Sequence, residues 1–217
     1  LIISGNQLKS IGLVKETIQL YKNWIAFNPN DEFAYMAYFN YSVMLSESED
    51  YLGALSALNE CSRLNNKFYA AYMNMGNMHE ILGNPILAKS SWQKIVDSTN
   101  EINKDNISYK TGALKQIARL ATQNNLAEAE KALEMSLIIS PDQPEIIQQW
   151  ISLRQRQIKW PVLDSVLINR VQALSDIAPL SLACYVDDPV FQLANAAYYN
   201  KNTVKWPKDF HLNSDYN

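Results

Sequence analysis

A repeat that returns after 34 residues constrains the fold of this chain more than any other feature of its sequence. Ala54 and Leu58 return as Ala88 and Trp92, and a matching pattern lies 37 positions earlier and 41 positions later. The central match comprises Tyr38, Tyr41, Ser42, Ala54, Leu58, Cys61 and Asn66, which recur as Tyr72, Met75, Gly76, Ala88, Trp92, Ile95 and Asn100. A period of this length is typical of solenoids, in which each unit packs only against its neighbours.

The register of the repeat divides the chain into two regions. We expect four units at about 1–33, 34–67, 68–102 and 110–141, the last displaced by extra polar residues around 103–106. The rest of the chain, 142–217, lacks the repeat, and its apolar spacing predicts helices from Pro144 to Gln157 and from Val190 to Asn200. We therefore expect repeats over 1–141 and a helical capping or connecting region over 142–217.

Small residues at fixed positions explain how such units pack. Gly76 and Ser42 leave room for a second helix to approach closely. Gly12 and Gly83 fall between the two helices of a unit, where glycine adopts a positive φ at little cost. Pro141 closes the fourth unit, because proline disfavours the helical conformation in the residue before it.

Composition argues against several classes of function. A formal net charge of −3 and a pI of about 5.4 disfavour nucleic-acid binding through a basic surface. No apolar run reaches the roughly 20 residues that span a membrane, and nothing after Gly112 can form a glycine-rich phosphate loop. Cys61 and Cys184 lie in no metal-binding or redox motif, which favours a reducing, cytoplasmic location. We expect no metal and no cofactor in these residues.

The period and its residue types resemble the tetratricopeptide repeat (TPR), a helix–turn–helix unit that mediates protein–protein interactions. The resemblance covers about residues 1–141 and is strongest in the two middle units. It implies an all-α fold, a TPR-like superhelical solenoid of about four units that the C-terminal helices close. A homodimer through the convex faces stays open, since the sequence carries no specific signal for one.

A second resemblance lies downstream of the repeats. The region that follows the TPR units in bacterial SPINDLY-type proteins resembles four segments of this chain, Leu153–Gln157, Trp160–Pro161, Ala178–Ser181 and Asp187–Ala194. These proteins are similar to O-linked N-acetylglucosamine transferases. This implies the substrate-recruiting arm and connector of a protein O-glycosyltransferase, whose catalytic lobes and sugar-nucleotide site would lie beyond Asn217. His211 lacks the motif of the catalytic histidine, so no catalytic residue is predicted. The alternative is a free-standing TPR scaffold that assembles protein complexes without an attached enzyme.

Asparagines provide the one candidate binding site. Asn40 and Asn74 are 34 residues apart, at a position that faces the concave surface of a TPR array. An asparagine side chain both donates and accepts hydrogen bonds, so a row of them can hold the backbone of an extended peptide of almost any sequence. Asn77 and Asn6 extend the row, which ends in the fourth unit, where Lys115 or Gln116 takes the equivalent position. The alternative is that the asparagines of this Asn-rich chain are merely solvated.

The other reactive side chains have simpler structural interpretations. Asp187 and Asp188 form an adjacent carboxylate pair, but an acidic residue before Pro189 is typical of a helix N-cap. Arg154 and Arg156 fall in the last turn of a predicted helix, where cations complement the helix dipole. Packing rather than reactivity is expected of His79 and Cys61.

Overall fold

The computed structural model describes residues 1–98, 104–160, 174–175 and 177–203. These residues contain helices and turns and no strand, which confirms the all-α fold class. The helices are α1 (Ile2–Ser10), α2 (Val14–Phe27), α3 (Ala34–Glu47), α4 (Tyr51–Leu64), α5 (Tyr69–Ile81), α6 (Pro85–Ser98), α7 (Lys104–Ala121), α8 (Leu126–Ile139), α9 (Pro144–Arg156), α10 (Pro179–Leu182) and α11 (Pro189–Thr203). The chain divides into two compact units, Leu1–Ile139 and Ser140–Asn217.

The first unit is a stack of helix pairs. Each helix from α1 to α8 packs against the next one in the chain, and α5 also contacts α7. Helices therefore alternate between two layers, with α1, α3, α5 and α7 in the first and α2, α4, α6 and α8 in the second. This arrangement is the helical solenoid that the repeat predicts.

Close helix approach depends on two glycines, Gly76, which the repeat predicts, and Gly5. A Cβ atom added at Gly76 would lie 2.1 Å from Nε1 of Trp92, and one at Gly5 would lie 2.4 Å from the hydroxyl of Tyr21. Both aromatic rings are almost completely buried. Burying a large apolar side chain stabilises a fold by about 1.5–3 kcal/mol, so these contacts join the two helices of each pair firmly.

The turns inside the first three pairs share one conformation. Gly12 and Gly83 have φ values of 80° and 76°, as the sequence predicts, and Glu49 occupies the equivalent position with φ 63°. Each turn is closed by a backbone hydrogen bond, such as the 2.8 Å bond that the N–H of Asn84 donates to the carbonyl of His79. The bond satisfies a carbonyl that the end of a helix would otherwise leave unpaired.

The fourth pair differs from the sequence-based register. Helix α7 already begins at Lys104, before residue 110, where the sequence predicts the fourth unit to start. Residues 99–103, which include the predicted end of the third unit, lie outside the described residues. The polar residues 104–106 therefore belong to a longer first helix.

The second unit contains α9, α10 and α11. Helix α9 ends at Arg156, one residue before the predicted end at Gln157, and its Trp150 is fully buried. In α11, buried Asn195 donates hydrogen bonds to the carbonyls of Ser175 at 2.8 Å and Ile177 at 3.1 Å. Pro161 and His211, both part of the SPINDLY comparison, lie outside the described residues.

Candidate functional site

The candidate site lies on the layer formed by α1, α3, α5 and α7. Neighbouring helices of this layer contact one another directly. Phe68, immediately before α5, packs edge-on against Phe39 of α3 with ring centroids 5.0 Å apart, and Tyr69 of α5 lies 6.4 Å from Tyr109 of α7. The layer is therefore a continuous surface on which equivalent positions of successive repeats are neighbours.

One side of these helices carries no buried residue. Helical periodicity places it opposite the buried face that includes Ala37 in α3 and Ala71 in α5. We call this side of α1, α3 and α5 the first-helix strip. It consists of Ile3, Asn6 and Lys9 from α1; Met36, Phe39, Asn40, Val43 and Glu47 from α3; and Met73, Asn74, Asn77 and Glu80 from α5.

All four predicted asparagines lie on the first-helix strip. Asn40, Asn74 and Asn77 are half-buried, and Asn6 is exposed. The register separates them into two rows: Asn40 matches Asn74, whereas Asn6 and Asn77 both match Val43. The strip thus carries two short rows of amides, the second interrupted by an apolar residue.

The amide groups differ in their hydrogen bonds. Nδ2 of Asn40 donates to the carbonyl of Met36 at 2.8 Å, one helical turn earlier, which fixes the side chain. No described residue donates a hydrogen bond to its Oδ1, which can therefore accept one from a ligand. Within the described residues, the side chains of Asn74 and Asn77 make no hydrogen bond. Together these half-buried side chains offer both donors and acceptors to a ligand.

The backbone beneath the strip is held by a buried indole. Nε1 of Trp92 in α6 donates to the carbonyl of Met73 at 3.2 Å, directly before Asn74. Because Trp92 packs against Gly76 at the same place, both contacts fix the position of α5. The backbone next to Asn74 is therefore held in place by a hydrogen bond and a close packing contact.

Charged residues on the strip occur in pairs that sequence reasoning missed. Nζ of Lys9 lies 2.5 Å from Glu47, and Nη2 of Arg119 in α7 lies 2.6 Å from Glu80. The partners are 38 and 39 residues apart, which is one repeat plus a few residues. Opposite charges at that separation are the signal that would have indicated them.

His79 lies half-buried in α5, as expected for a packed residue. Its Nδ1 atom is buried and has no hydrogen-bond partner among the residues that the structure describes. Burial lowers the pKa of the ring from its ordinary value of 6.5, because the charged form loses hydration. The ring is therefore neutral at pH 7.

The other candidate side chains have structural roles. Burial raises the pKa of the Cys61 thiol to about 12, which makes it a poor nucleophile. Oδ1 of Asp188 accepts hydrogen bonds from the backbone N–H groups of Val190 at 2.9 Å and Phe191 at 3.3 Å, which confirms the predicted helix cap. The guanidinium of Arg154 lies 5.0 Å over the ring of buried Trp150.

The part of the chain that the structure describes contains neither a cluster of metal ligands nor a membrane-spanning helix. No group of three potential metal ligands occurs there. No helix there is long and apolar enough to cross a bilayer.

The fold and the strip together define a helical-repeat protein of the TPR type with an open, largely uncharged surface on its first-helix layer. No protein-family model and no curated protein matches the sequence. Solved structures do match the fold. The crystal structure of MamA has a TM-score of 0.59 at 13% identity, with 94% of this chain and 93% of that chain covered.

Two further structures show the same fold. PilF of Pseudomonas aeruginosa has a TM-score of 0.57 at 12% identity, with 92% of this chain and 89% of that chain covered. YrrB, described as a TPR protein with an unusual peptide-binding site, has a TM-score of 0.54 at 16% identity, with 88% and 87% covered. The similarity extends over most of each chain, so the TPR solenoid fold is shown.

Proposed function

We propose that this chain is a protein-binding module that holds an extended segment of a partner protein across the first-helix strip. The observation that carries the proposal is the matched pair Asn40 and Asn74, half-buried at one position of neighbouring repeats with amide groups left to bind. A peptide backbone presents one donor and one acceptor per residue, which matches these amides. The peptide-binding site reported for YrrB, a protein of the same fold, supports the proposal.

Peptide selection tests this function without knowledge of the natural partner. The immobilised chain is used to select binders from a phage-displayed library of random peptides of about 12 residues. Such peptides extend to about 40 Å, which is enough to cross the three helices of the strip at a spacing of about 10 Å. We expect enrichment with the wild-type chain and its loss in the double variant Asn40→Ala, Asn74→Ala.

A matched control separates binding from folding. Asn59 is an exposed asparagine on α4, in the second layer. Asn59→Ala should keep the selected binders, and all variants should keep the helical circular dichroism of the wild type. If the Asn40→Ala, Asn74→Ala variant binds the selected peptides as well as the wild type does, the strip is not their binding site.

The SPINDLY resemblance supports a narrower proposal about the parent protein. In it, the chain is the substrate-recruiting arm of a protein O-glycosyltransferase in the cytoplasm, and the enzyme's catalytic lobes follow Asn217. This rests on the segments Leu153–Gln157, Trp160–Pro161, Ala178–Ser181 and Asp187–Ala194 and on their position after the repeats. The free-standing scaffold is the alternative.

The complete gene distinguishes the arm of an enzyme from a free-standing scaffold. A reading frame that continues past Asn217 into a glycine-containing α/β region supports the enzyme, whereas a stop codon supports the scaffold. In either case, calorimetry should detect no binding of a sugar nucleotide to these 217 residues. Light scattering of the purified chain would decide whether it forms a homodimer.

A further inference from the structure

The first-helix strip is nearly devoid of free charge, although the chain as a whole is not. Of all residues, 19% are charged, yet α1, α3 and α5 carry one Lys, Arg, Asp or Glu each in 9, 14 and 13 residues. These three residues are Lys9, Glu47 and Glu80. The second-layer helices of the same pairs carry three such residues in α2, two in α4 and three in α6. The low charge is therefore specific to α1, α3 and α5, since α7, the first helix of the fourth pair, carries five such residues in 18.

The three charges of the strip are all paired. Lys9 lies against Glu47 across α1 and α3, and Glu80 lies against Arg119 across α5 and α7. The net charge of each pair is zero, and its electric field is weak at a distance because the opposite charges in contact cancel one another. His79 adds no charge at neutral pH, because burial lowers its pKa.

The rest of the strip presents amides and apolar side chains. Met36, Phe39, Val43 and Met73 are half-buried, and Ile3 is 76% exposed. A charged ligand side chain that lay on such a surface would lose hydration without gaining a partner, which is unfavourable. An apolar side chain would bury area at about 25 cal/mol per Å².

We infer that the first-helix strip selects uncharged segments with large apolar side chains and binds them with little dependence on ionic strength. The inference rests on the proposed function, since it specifies the class of peptide that the same site takes. Acidic and basic peptides are then excluded because their charged side chains find no oppositely charged partner on the strip, and not because the strip repels them. The backbone is held by Asn40 and Asn74, and the class of side chain is set by the neutral surface around them.

The composition and salt dependence of selected peptides test the inference. Among binders selected with the wild-type chain, we expect net charges near zero and enrichment of Leu, Ile, Met and Phe. Fluorescence anisotropy should show affinities that change less than about threefold between about 50 and about 500 mM NaCl, since charge-based binding would be screened over this range. Enrichment of acidic or basic peptides would overturn the inference and leave the proposed function intact. No enrichment over the Asn40→Ala, Asn74→Ala variant would overturn both.

Charge-unpairing variants provide a sharper test. Glu47→Gln with Glu80→Gln leaves Lys9 and Arg119 without their partners, so the strip becomes positive. We expect this variant to select acidic peptides, whose affinity falls at least about tenfold over the same salt range, because exposed charges are screened by salt.

The matched control makes the same charge change away from the strip. Glu60 pairs with Arg63 within α4, and Glu128 pairs with Lys89 between α8 and α6. Glu60→Gln with Glu128→Gln alters the net charge equally and should keep the neutral selection. A shift to acidic peptides in this control as well would show that net charge, and not the paired strip, sets the selectivity, and would overturn the inference.

Discussion

Gly76 and Trp92 contact each other so closely that any side chain at position 76 would force the indole to move. A Cβ atom there would lie 2.1 Å from Nε1 of the indole, which is completely buried and donates its hydrogen bond to the carbonyl of Met73. In the second repeat Ser42 and Leu58 take the same two positions. The larger residue on the first helix, Ser42 in place of glycine, is thus accompanied by a smaller residue on the second helix, Leu58 in place of tryptophan.

This complementarity predicts a stability coupling. Gly76→Ser should destabilise the fold by about 1–3 kcal/mol, because a buried ring must move to admit the side chain. In a Trp92→Leu background, which reproduces the Ser42–Leu58 pair, the added cost of Gly76→Ser should be smaller by at least about 1 kcal/mol. Urea unfolding of the four chains measures the cycle, and additive costs would contradict the prediction.

A second prediction concerns the turn after α3. Glu49 has φ 63°, a conformation that costs a non-glycine residue about 1 kcal/mol. Gly12 and Gly83 occupy the equivalent turns, and a Cβ atom added to either would have nothing within 4 Å. The preference for glycine at this position therefore comes from the backbone conformation and not from packing. Glu49→Gly should therefore raise the free energy of unfolding by about 0.5–1 kcal/mol despite the greater flexibility of glycine in the unfolded chain.

The control for that substitution is Glu49→Ala. Alanine removes the charge but keeps the Cβ atom, so its effect on the urea midpoint should be near zero. If Glu49→Ala stabilises the chain as much as Glu49→Gly does, loss of the carboxylate and not relief of the left-handed backbone is the cause.

These two sites show why much of the fold can be predicted from the sequence. Packing in a repeat protein is local, so the repeat register, with its offsets of 37 and 34 residues, places Gly12 and Gly83 in turns and Gly76 against a second helix. The helix cap at Asp188 is equally local, because it depends on residues only two or three positions apart. Glu49 was not predicted, since no local preference favours glutamate at positive φ.

The candidate site was less predictable because its contacts join residues that are far apart in the sequence. The pairing of Lys9 with Glu47 depends on the offset between two helices and on side-chain rotamers, neither of which the register determines. The hydrogen bond from Asn40 to the carbonyl of Met36 likewise depends on which rotamer the asparagine side chain adopts. The register puts the asparagines on one surface, whereas their binding role stays a prediction until ligands are measured.

A third prediction concerns the N-cap of α11. Asp188→Ala removes the acceptor for the N–H groups of Val190 and Phe191 and should weaken the helix locally by about 1 kcal/mol. Hydrogen exchange of these two amides should accelerate about fivefold, the kinetic equivalent of that free energy. Asp187→Ala is the matched control because it removes the same charge from the adjacent residue without removing the cap. Equal acceleration in both variants would refute the capping role.

The last prediction concerns pH. Burial lowers the pKa of His79 in the folded chain below its ordinary value of 6.5, so the unfolded chain binds a proton more readily. The stability that depends on the neutral ring is then fully present above pH 6.5 and is lost as the pH falls towards the lower folded pKa. His79→Leu, which copies the equivalent Leu45, removes this dependence. Urea unfolding between about pH 7.5 and about pH 5 should show the wild type losing stability relative to the variant only below the ordinary histidine pKa. Parallel curves over the whole range would show that protonation of His79 is not linked to folding.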